Sequence, residues 1–190
     1  MRVKLLDLVP QYKEIEDEIK AAIENVASSQ MFILGPEVEK FEQEIAAYCG
    51  TAFAVGVASG SDALLLALMA CDVGDGDEVI TTPYTFFSTV SSITRLGARP
   101  VFADIDPVTY NLDPDDVRAR LTGRTAAAIV PHLFGLPADV DGLLSLGVPI
   151  VEDCAQSVGG IRGGKAVGSF GTAGVFSFYA TKVLTTGEGG

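Results

Sequence analysis

From residue 52 onward the chain alternates short apolar runs with amphipathic stretches, and turn residues separate them. Residues 52–57, 78–81, 100–103, 126–130, 149–151 and 175–179 read as strands. Residues 63–71, 86–96, 114–121 and 140–146 read as the helices between them, with Pro114 tolerated in a first helical turn. This rhythm leaves one economical solution, an α/β fold with a mostly parallel sheet and helices on both faces. Such sheets place their ligand crevice beyond the carboxyl ends of the strands. Residues directly after strands are therefore the ones to examine for chemistry.

Two helices precede the alternation. Residues 12–28 carry Ile15, Ile19, Ile23 and Val26 on one face, with acids and lysines opposite. Gly35-Pro36 opens a second helix with Val38, Phe41, Ile45 and Tyr48 along its expected buried stripe and Gly50 at its C-cap. The expected division is residues 1–50 for these helices and 51–190 for the sheet. The helices are expected to lie outside the sheet layer or against a partner chain. The closing Gly187-Glu188-Gly189-Gly190 reads as a turn, so a further strand is expected to follow it.

Charge and cysteine content exclude several classes. The 190 residues carry a formal net charge of −12, which argues against nucleic acid or an anionic membrane surface as a partner. A phosphate ligand remains compatible, because backbone amides can hold one without a basic patch. Cys49, Cys71 and Cys154 are odd in number and widely spaced, and there is no CxxC pair. With His132 the sole histidine, no metal site is expected. The free thiols suit a reducing, cytoplasmic compartment. Asp7, Glu14, Glu16, Asp17 and Glu18 are unlike a signal peptide, and no apolar run approaches a membrane span.

Candidate chemistry then lies at the strand ends. Lys182 follows the last apolar run and precedes a glycine-rich turn. A partly desolvated amine there can attack a carbonyl and form a Schiff base; a solvated surface lysine is the alternative. In Ser59-Gly60-Ser61-Asp62, Gly60 permits close backbone approach, while Ser61 and Asp62 can cap a helix whose first N–H groups would bind phosphate. An ordinary helix cap would have the same sequence. Asp153 ends a buried run and needs a partner, which a protonated ring nitrogen would provide. Glu152 competes for that role from the opposite strand face. Gln156 can reach a neighbouring polar group. Phe86 can stack on a flat heterocycle, with Phe87 equally placed. Ser177 can give its hydroxyl to a phosphate, and His132 is expected to border the same crevice in a structural role. Together these are the parts of a pyridoxal phosphate site. A dinucleotide-binding domain is disfavoured, since GxGxxG is missing.

The sequence resembles the DegT-type nucleotide-sugar aminotransferases of the fold-type I pyridoxal phosphate superfamily, from Leu6 to Gly190. The motifs that carry the resemblance are Gly35-Pro36-Glu37-Val38 with Phe41-Glu42, Ser59-Gly60-Ser61-Asp62-Ala63-Leu64 and Gly76-Asp77-Glu78-Val79-Ile80. They continue with Val151-Glu152-Asp153-Cys154-Ala155-Gln156, Gly168-Ser169-Phe170-Gly171, and Phe176-Ser177-Phe178 through Lys182 to Gly187-Glu188-Gly189-Gly190. The resemblance implies an aspartate-aminotransferase-like large domain. It also implies Lys182 as the Schiff-base lysine, Asp153 as the pyridine partner, and Gly60, Ser61 and Ser177 at the phosphate. Phe86 would lie on the ring and Gln156 near its hydroxyl.

The implied cofactor is pyridoxal 5'-phosphate, alternating with pyridoxamine phosphate. The implied reaction moves an amino group from an amino acid, usually glutamate, to the keto sugar of a nucleotide-sugar, in a homodimer with shared sites. Family members that dehydrate instead carry histidine in place of the lysine. Val183 departs from the asparagine often found there. The family also continues into a small C-terminal domain that these residues do not include, as well as a phosphate-binding asparagine from the partner chain. The competing expectation is an inactive fragment that binds cofactor or forms an oligomer.

Overall fold

Adjacent residues of each core strand face different helix layers, and this period of two organises the molecule. The computed structural model describes residues 7–190; Leu6, where the family resemblance starts, lies outside them. Helices α1 (Val9–Ser29) and α2 (Pro36–Cys49) come first, followed by α3 (Gly60–Ala70). Strand β1 (Glu78–Thr81), α4 (Phe87–Arg95), β2 (Arg99–Phe102), α5 (Pro114–Arg120), β3 (Thr125–Pro131), α6 (Val140–Leu144) and β4 (Ile150–Asp153) then alternate. A small antiparallel hairpin, β5 (Ile161–Arg162) and β6 (Lys165–Ala166), precedes β7 (Ala173–Val175). The main sheet has the order β2-β1-β3-β4-β7, and every neighbouring pair is parallel.

On one face, Leu64 and Leu68 of α3 and Ile93 of α4 cover Val79, Ala127, Ile129, Val151 and Val175. On the other, Val117 of α5 and Val140 and Leu143 of α6 cover Ile80, Ala128, Val130 and Ile150. The odd and even positions of β3 and β4 thus separate cleanly between the layers. Each fully buried Leu, Ile or Val side chain contributes about 1.5–3 kcal/mol.

The chain forms two compact units, the first ending at Glu44 and the second comprising Ile45–Gly190. No residue of α1 is buried, and Ile15 and Ile23 of its apolar face are exposed. In α2 the expected stripe is altered at its end. Tyr48 is exposed, whereas Ala46 and Cys49 are buried. The i, i+3 pair of small side chains turns inward there, and the amphipathic tyrosine stays at the surface.

Several expectations about element boundaries change. Residues 52–57 are not a strand: Phe53 and Val55 are exposed, and the segment has no continuous strand partner among the described residues. Among the described residues its ladder-like pairing is at Val57, which exchanges hydrogen bonds with Gly190 at 2.9 and 3.1 Å. The last strand ends at Val175, short of residue 179, because Asp153 opposite Val175 is the last residue of β4 to pair with it. Finally, α3 starts at Gly60 with Ser59 as its cap, three residues before the expected start at 63.

Candidate active site

Strands β3 and β4 and the segment after β7 all end at one cavity of about 530 Å³. That volume suits a small organic ligand. Its wall includes Gly60 and Ser61 from α3, Phe86 at the cap of α4, Asp153 and Gln156 after β4, and Ser177 and Lys182 after β7. All seven residues singled out in the sequence therefore meet in one place. Lys165, the other lysine near this region, is exposed on the β5–β6 hairpin and does not line the cavity.

The mouth of α3 is built from backbone. Ser59 Oγ accepts from the Asp62 N–H at 3.1 Å, and the Ser59 carbonyl accepts from the Ala63 N–H. The cap is thus Ser59, in place of the expected Ser61 and Asp62. The Gly60 and Ser61 N–H groups are left without an acceptor among the described residues, at the positive end of the helix. Ser61 Oγ instead lies 2.6 Å from Ser88 Oγ, so two hydroxyls of α3 and α4 meet at the cavity wall. A Cβ at Gly60 would stand 2.6 Å from Ser177 Cβ. Glycine at this position is what allows the helix mouth and the segment after β7 to touch.

Glu152 and Asp153 separate as strand alternation requires. Glu152 turns toward the face away from the cavity and is fully buried. Its Oε1 accepts from the N–H groups of Phe170 and Gly171 at 2.7 and 2.8 Å, and its Oε2 from Gly168 N–H and His132 Nε2, both at 2.9 Å. Burial pushes its carboxyl up, but these donors outweigh burial and hold it below the ordinary value. His132 Nδ1 accepts from the Ala138 N–H at 2.9 Å, so the ring proton sits on Nε2 and points at Glu152. His132 borders the cavity with both ring nitrogens committed, the structural role expected for it.

Cys154 Sγ lies within 4.8 Å of the His132 and Glu152 ligand atoms. The histidine and carboxylate atoms of that group are already spent on these hydrogen bonds. Burial, together with Glu152 and Asp153, pushes the Cys154 thiol well above its usual range, which makes it a poor nucleophile.

Asp153 faces the cavity. Its Oδ2 accepts from the Thr89 hydroxyl at 2.9 Å and its Oδ1 from the Ala155 N–H at 3.2 Å. Burial pushes its carboxyl up, against the pull of Thr89, Ala155, Lys182 and His132. Such a carboxylate gains most from a cationic donor in the cavity. A protonated pyridine nitrogen would supply that donor, the open helix mouth has room and N–H groups for a phosphate, and Phe86 could offer a ring face. Phe86 lines the cavity and Phe87 does not. These residues fit pyridoxal 5'-phosphate.

Sequence reading did not find Thr85, Ser88, Thr89, Tyr179 or Glu188. All but Thr89 line the cavity, and Thr89 touches Asp153. The signal for the first three was present: hydroxyl residues at positions 85, 88, 89 and 92 recur at helical spacing after the second expected strand.

The model of the DegT/DnrJ/EryC1/StrS aminotransferase family matches residues 13–190. The pleiotropic regulatory protein of Geobacillus stearothermophilus is 47% identical over 195 residues, covering 100% of this chain and 52% of that protein. The UDP-N-acetyl-3-dehydro-alpha-D-glucosamine 3-aminotransferase of Acidithiobacillus ferrooxidans is 42% identical over 193 residues, covering 99% and 52%. The solved structure of S. venezuelae DesV, in complex with a ketimine intermediate, is similar with a TM-score of 0.95 at 44% identity, covering 99% of this chain and 52% of that one. The chain spans about half the length of these relatives. With the family model matched over nearly all of its length, this chain belongs to the DegT/DnrJ/EryC1/StrS aminotransferase family.

Proposed function

We propose that the protein is a pyridoxal 5'-phosphate-dependent aminotransferase that moves an amino group from an amino acid, glutamate foremost, to the keto sugar of a nucleotide-sugar. The observation that carries this reading is the meeting of Lys182, buried Asp153 and the open mouth of α3 around one cavity. The family and the sugar aminotransferase among its relatives support the substrate class. Residues 1–190 correspond in this reading to the cofactor-binding large domain. The functional unit is a homodimer, which the exposed apolar face of α1 supports. No helix among the described residues is long and apolar enough to cross a membrane.

The bound cofactor supplies an aldehyde that bonds an amine and a ring that takes up electrons from the adjacent carbon. Gly60 and Ser61 N–H, with the Ser61 and Ser177 hydroxyls, hold its phosphate. Phe86 covers one ring face, and Gln156 lies near the ring hydroxyl. Asp153 keeps the ring nitrogen protonated. Lys182 Nζ would hold the aldehyde end of the cofactor. When free, the same amine would act as general base and acid, moving a proton between the amino-bearing carbon and the adjacent cofactor carbon.

Pyridoxal 5'-phosphate added to the protein should give a yellow complex that borohydride bleaches, fixing the label on one peptide that contains Lys182. Lys182→Ala should lose both the label and the transfer of nitrogen from glutamate to nucleotide keto sugars. A label on Lys165, or one that survives in Lys182→Ala, would overturn the assignment.

A further inference from the structure

Asp153 reaches its ligand from a buried position, so what holds its carboxylate matters as much as the carboxylate itself. Its two protein donors differ in kind. The Ala155 N–H at 3.2 Å comes from the turn that follows β4 and is fixed by the backbone. The Thr89 hydroxyl at 2.9 Å comes from α4, a different element 64 residues away. Thr89 has no solvent exposure, so water cannot replace its hydroxyl if it is removed. Its Oγ1 also lies 3.0 Å from the Thr85 Oγ1, and Thr85 lines the cavity.

A hydroxyl has one proton. When Asp153 is ionised it can only accept, so the Thr89 proton points at Oδ2. Thr85 must then donate to Thr89. The three groups form a directed chain that ends on the carboxylate. Two donors, one on each oxygen, fix the plane of the carboxylate and leave a lone pair on each oxygen for a donor in the cavity.

We propose that Thr89, oriented by Thr85, is a positioning residue that holds the Asp153 carboxylate ionised and aimed at the ring nitrogen of the cofactor. The proposal rests on the functional reading above for the identity of the ring, though not for the contact. Lys182 and His132 are the other titratable groups acting on Asp153 from neighbouring segments. Glu152 faces the opposite side of the strand. His132 donates its backbone N–H to the Asp153 main-chain carbonyl at 3.0 Å, but among the described residues neither it nor Lys182 hydrogen-bonds the carboxylate, so neither sets its plane as Thr89 does.

Three variants test this: Thr89→Val, which removes the hydroxyl and keeps the shape; Thr89→Ser, which keeps the hydroxyl; and Thr85→Val. The first readout is the titration midpoint of the Asp153 carboxyl in the cofactor-free protein, followed by carbon-13 NMR and assigned with Asp153→Asn. The midpoint should rise in Thr89→Val, rise less in Thr85→Val, and return in Thr89→Ser. The second readout is turnover of the protein loaded with pyridoxal 5'-phosphate. Loss of a hydrogen bond to a buried charge should lower kcat in Thr89→Val by at least about tenfold, with KM for glutamate little changed. Thr89→Ser should recover most of that loss. An unmoved midpoint in Thr89→Val, or a Thr89→Ser variant as slow as Thr89→Val, overturns the proposal. Because the midpoint is read without cofactor, its failure overturns the Thr89 assignment alone. A borohydride label missing from Lys182 instead overturns the functional reading, and with it the cofactor half of this one.

Discussion

Glu152 and Asp153 are adjacent buried acids, and the structure predicts opposite consequences for making each into its amide. Glu152 accepts four hydrogen bonds, two on each oxygen, and all four donors are fixed N–H groups. In Glu152→Gln one oxygen becomes an NH2. Whichever way the amide turns, it sets that NH2 against two donors. On the Oε2 side, His132 cannot adapt, since moving its proton to Nδ1 would oppose the Ala138 N–H. On the Oε1 side, the Phe170 and Gly171 amides cannot reverse at all. Two bonds to a buried charge are lost, at about 1.5–3 kcal/mol each, so the variant should lose at least about 3 kcal/mol. That is a large part of the roughly 5–15 kcal/mol that holds a domain together.

Asp153→Asn should behave differently. Its Oδ1 can still accept from Ala155, while the new NH2 donates to Thr89. The Thr89 hydroxyl rotates and donates to Thr85 instead, so no donor is stranded. The charge that burial disfavours is also gone. Stability should therefore stay within about 1 kcal/mol of the parent. Urea unfolding at pH 7, followed by circular dichroism, measures both. Equal destabilisation of the two variants, or a Glu152→Gln within about 1 kcal/mol of the parent, would refute the reasoning. The chemical consequence is also reversed: Asp153→Asn should retain cofactor and lose most turnover. A near-normal single-turnover rate would remove Asp153 from the pyridine role.

Glu78, at the opposite end of β1 from the cavity, is held at about 2 by Thr122, Arg99 and Arg124. Its folded value lies below the ordinary 4.5, so its contribution is complete above that pH and is lost as pH falls through about 2. The stability gap between parent and Glu78→Gln should shrink over that window, and a gap unchanged by pH would contradict the assignment. The proposed homodimer predicts sedimentation at twice the chain mass at micromolar concentration; an active monomer would refute it.

The alternation of strands and helices was legible because each layer imposes its own period on the sequence, as Val79 and Ile80 illustrate by entering different cores. Strand ends were less legible. Phe176, Phe178 and Tyr179 prolong the apolar run after Val175, but a strand lasts only as long as its neighbour, and β4 stops at Asp153. Residues 52–57 differ for a related reason: apolar alternation marks the capacity to pair, and among the described residues no continuous strand runs beside them. At the site, alternation placed Glu152 and Asp153 on opposite faces. Which face meets the cavity depends on where α3 and α4 pack, and local sequence does not encode that. Thr89 was hidden for a related reason, since its contact with Asp153 exists only once the fold brings α4 to the end of β4.

The position of Lys182 follows from how its loop is fastened at both ends. At one end, the Cys154 N–H donates to the Val175 carbonyl and fixes the exit from β7. The chain then folds back on itself, with Phe178 N–H donating to the Gly189 carbonyl and Thr186 N–H to that of Phe178. At the other end, Gly190 exchanges two hydrogen bonds with Val57. A Cβ on Gly190 would lie 2.3 Å from the Ser59 carbonyl carbon, so only glycine lets the loop press against the peptide that opens α3. The loop that carries the amine and the helix mouth proposed for the phosphate are therefore held by the same contacts. A shift of one displaces the other, and the spacing between the two proposed anchors of the cofactor is set by backbone rather than by a flexible side chain.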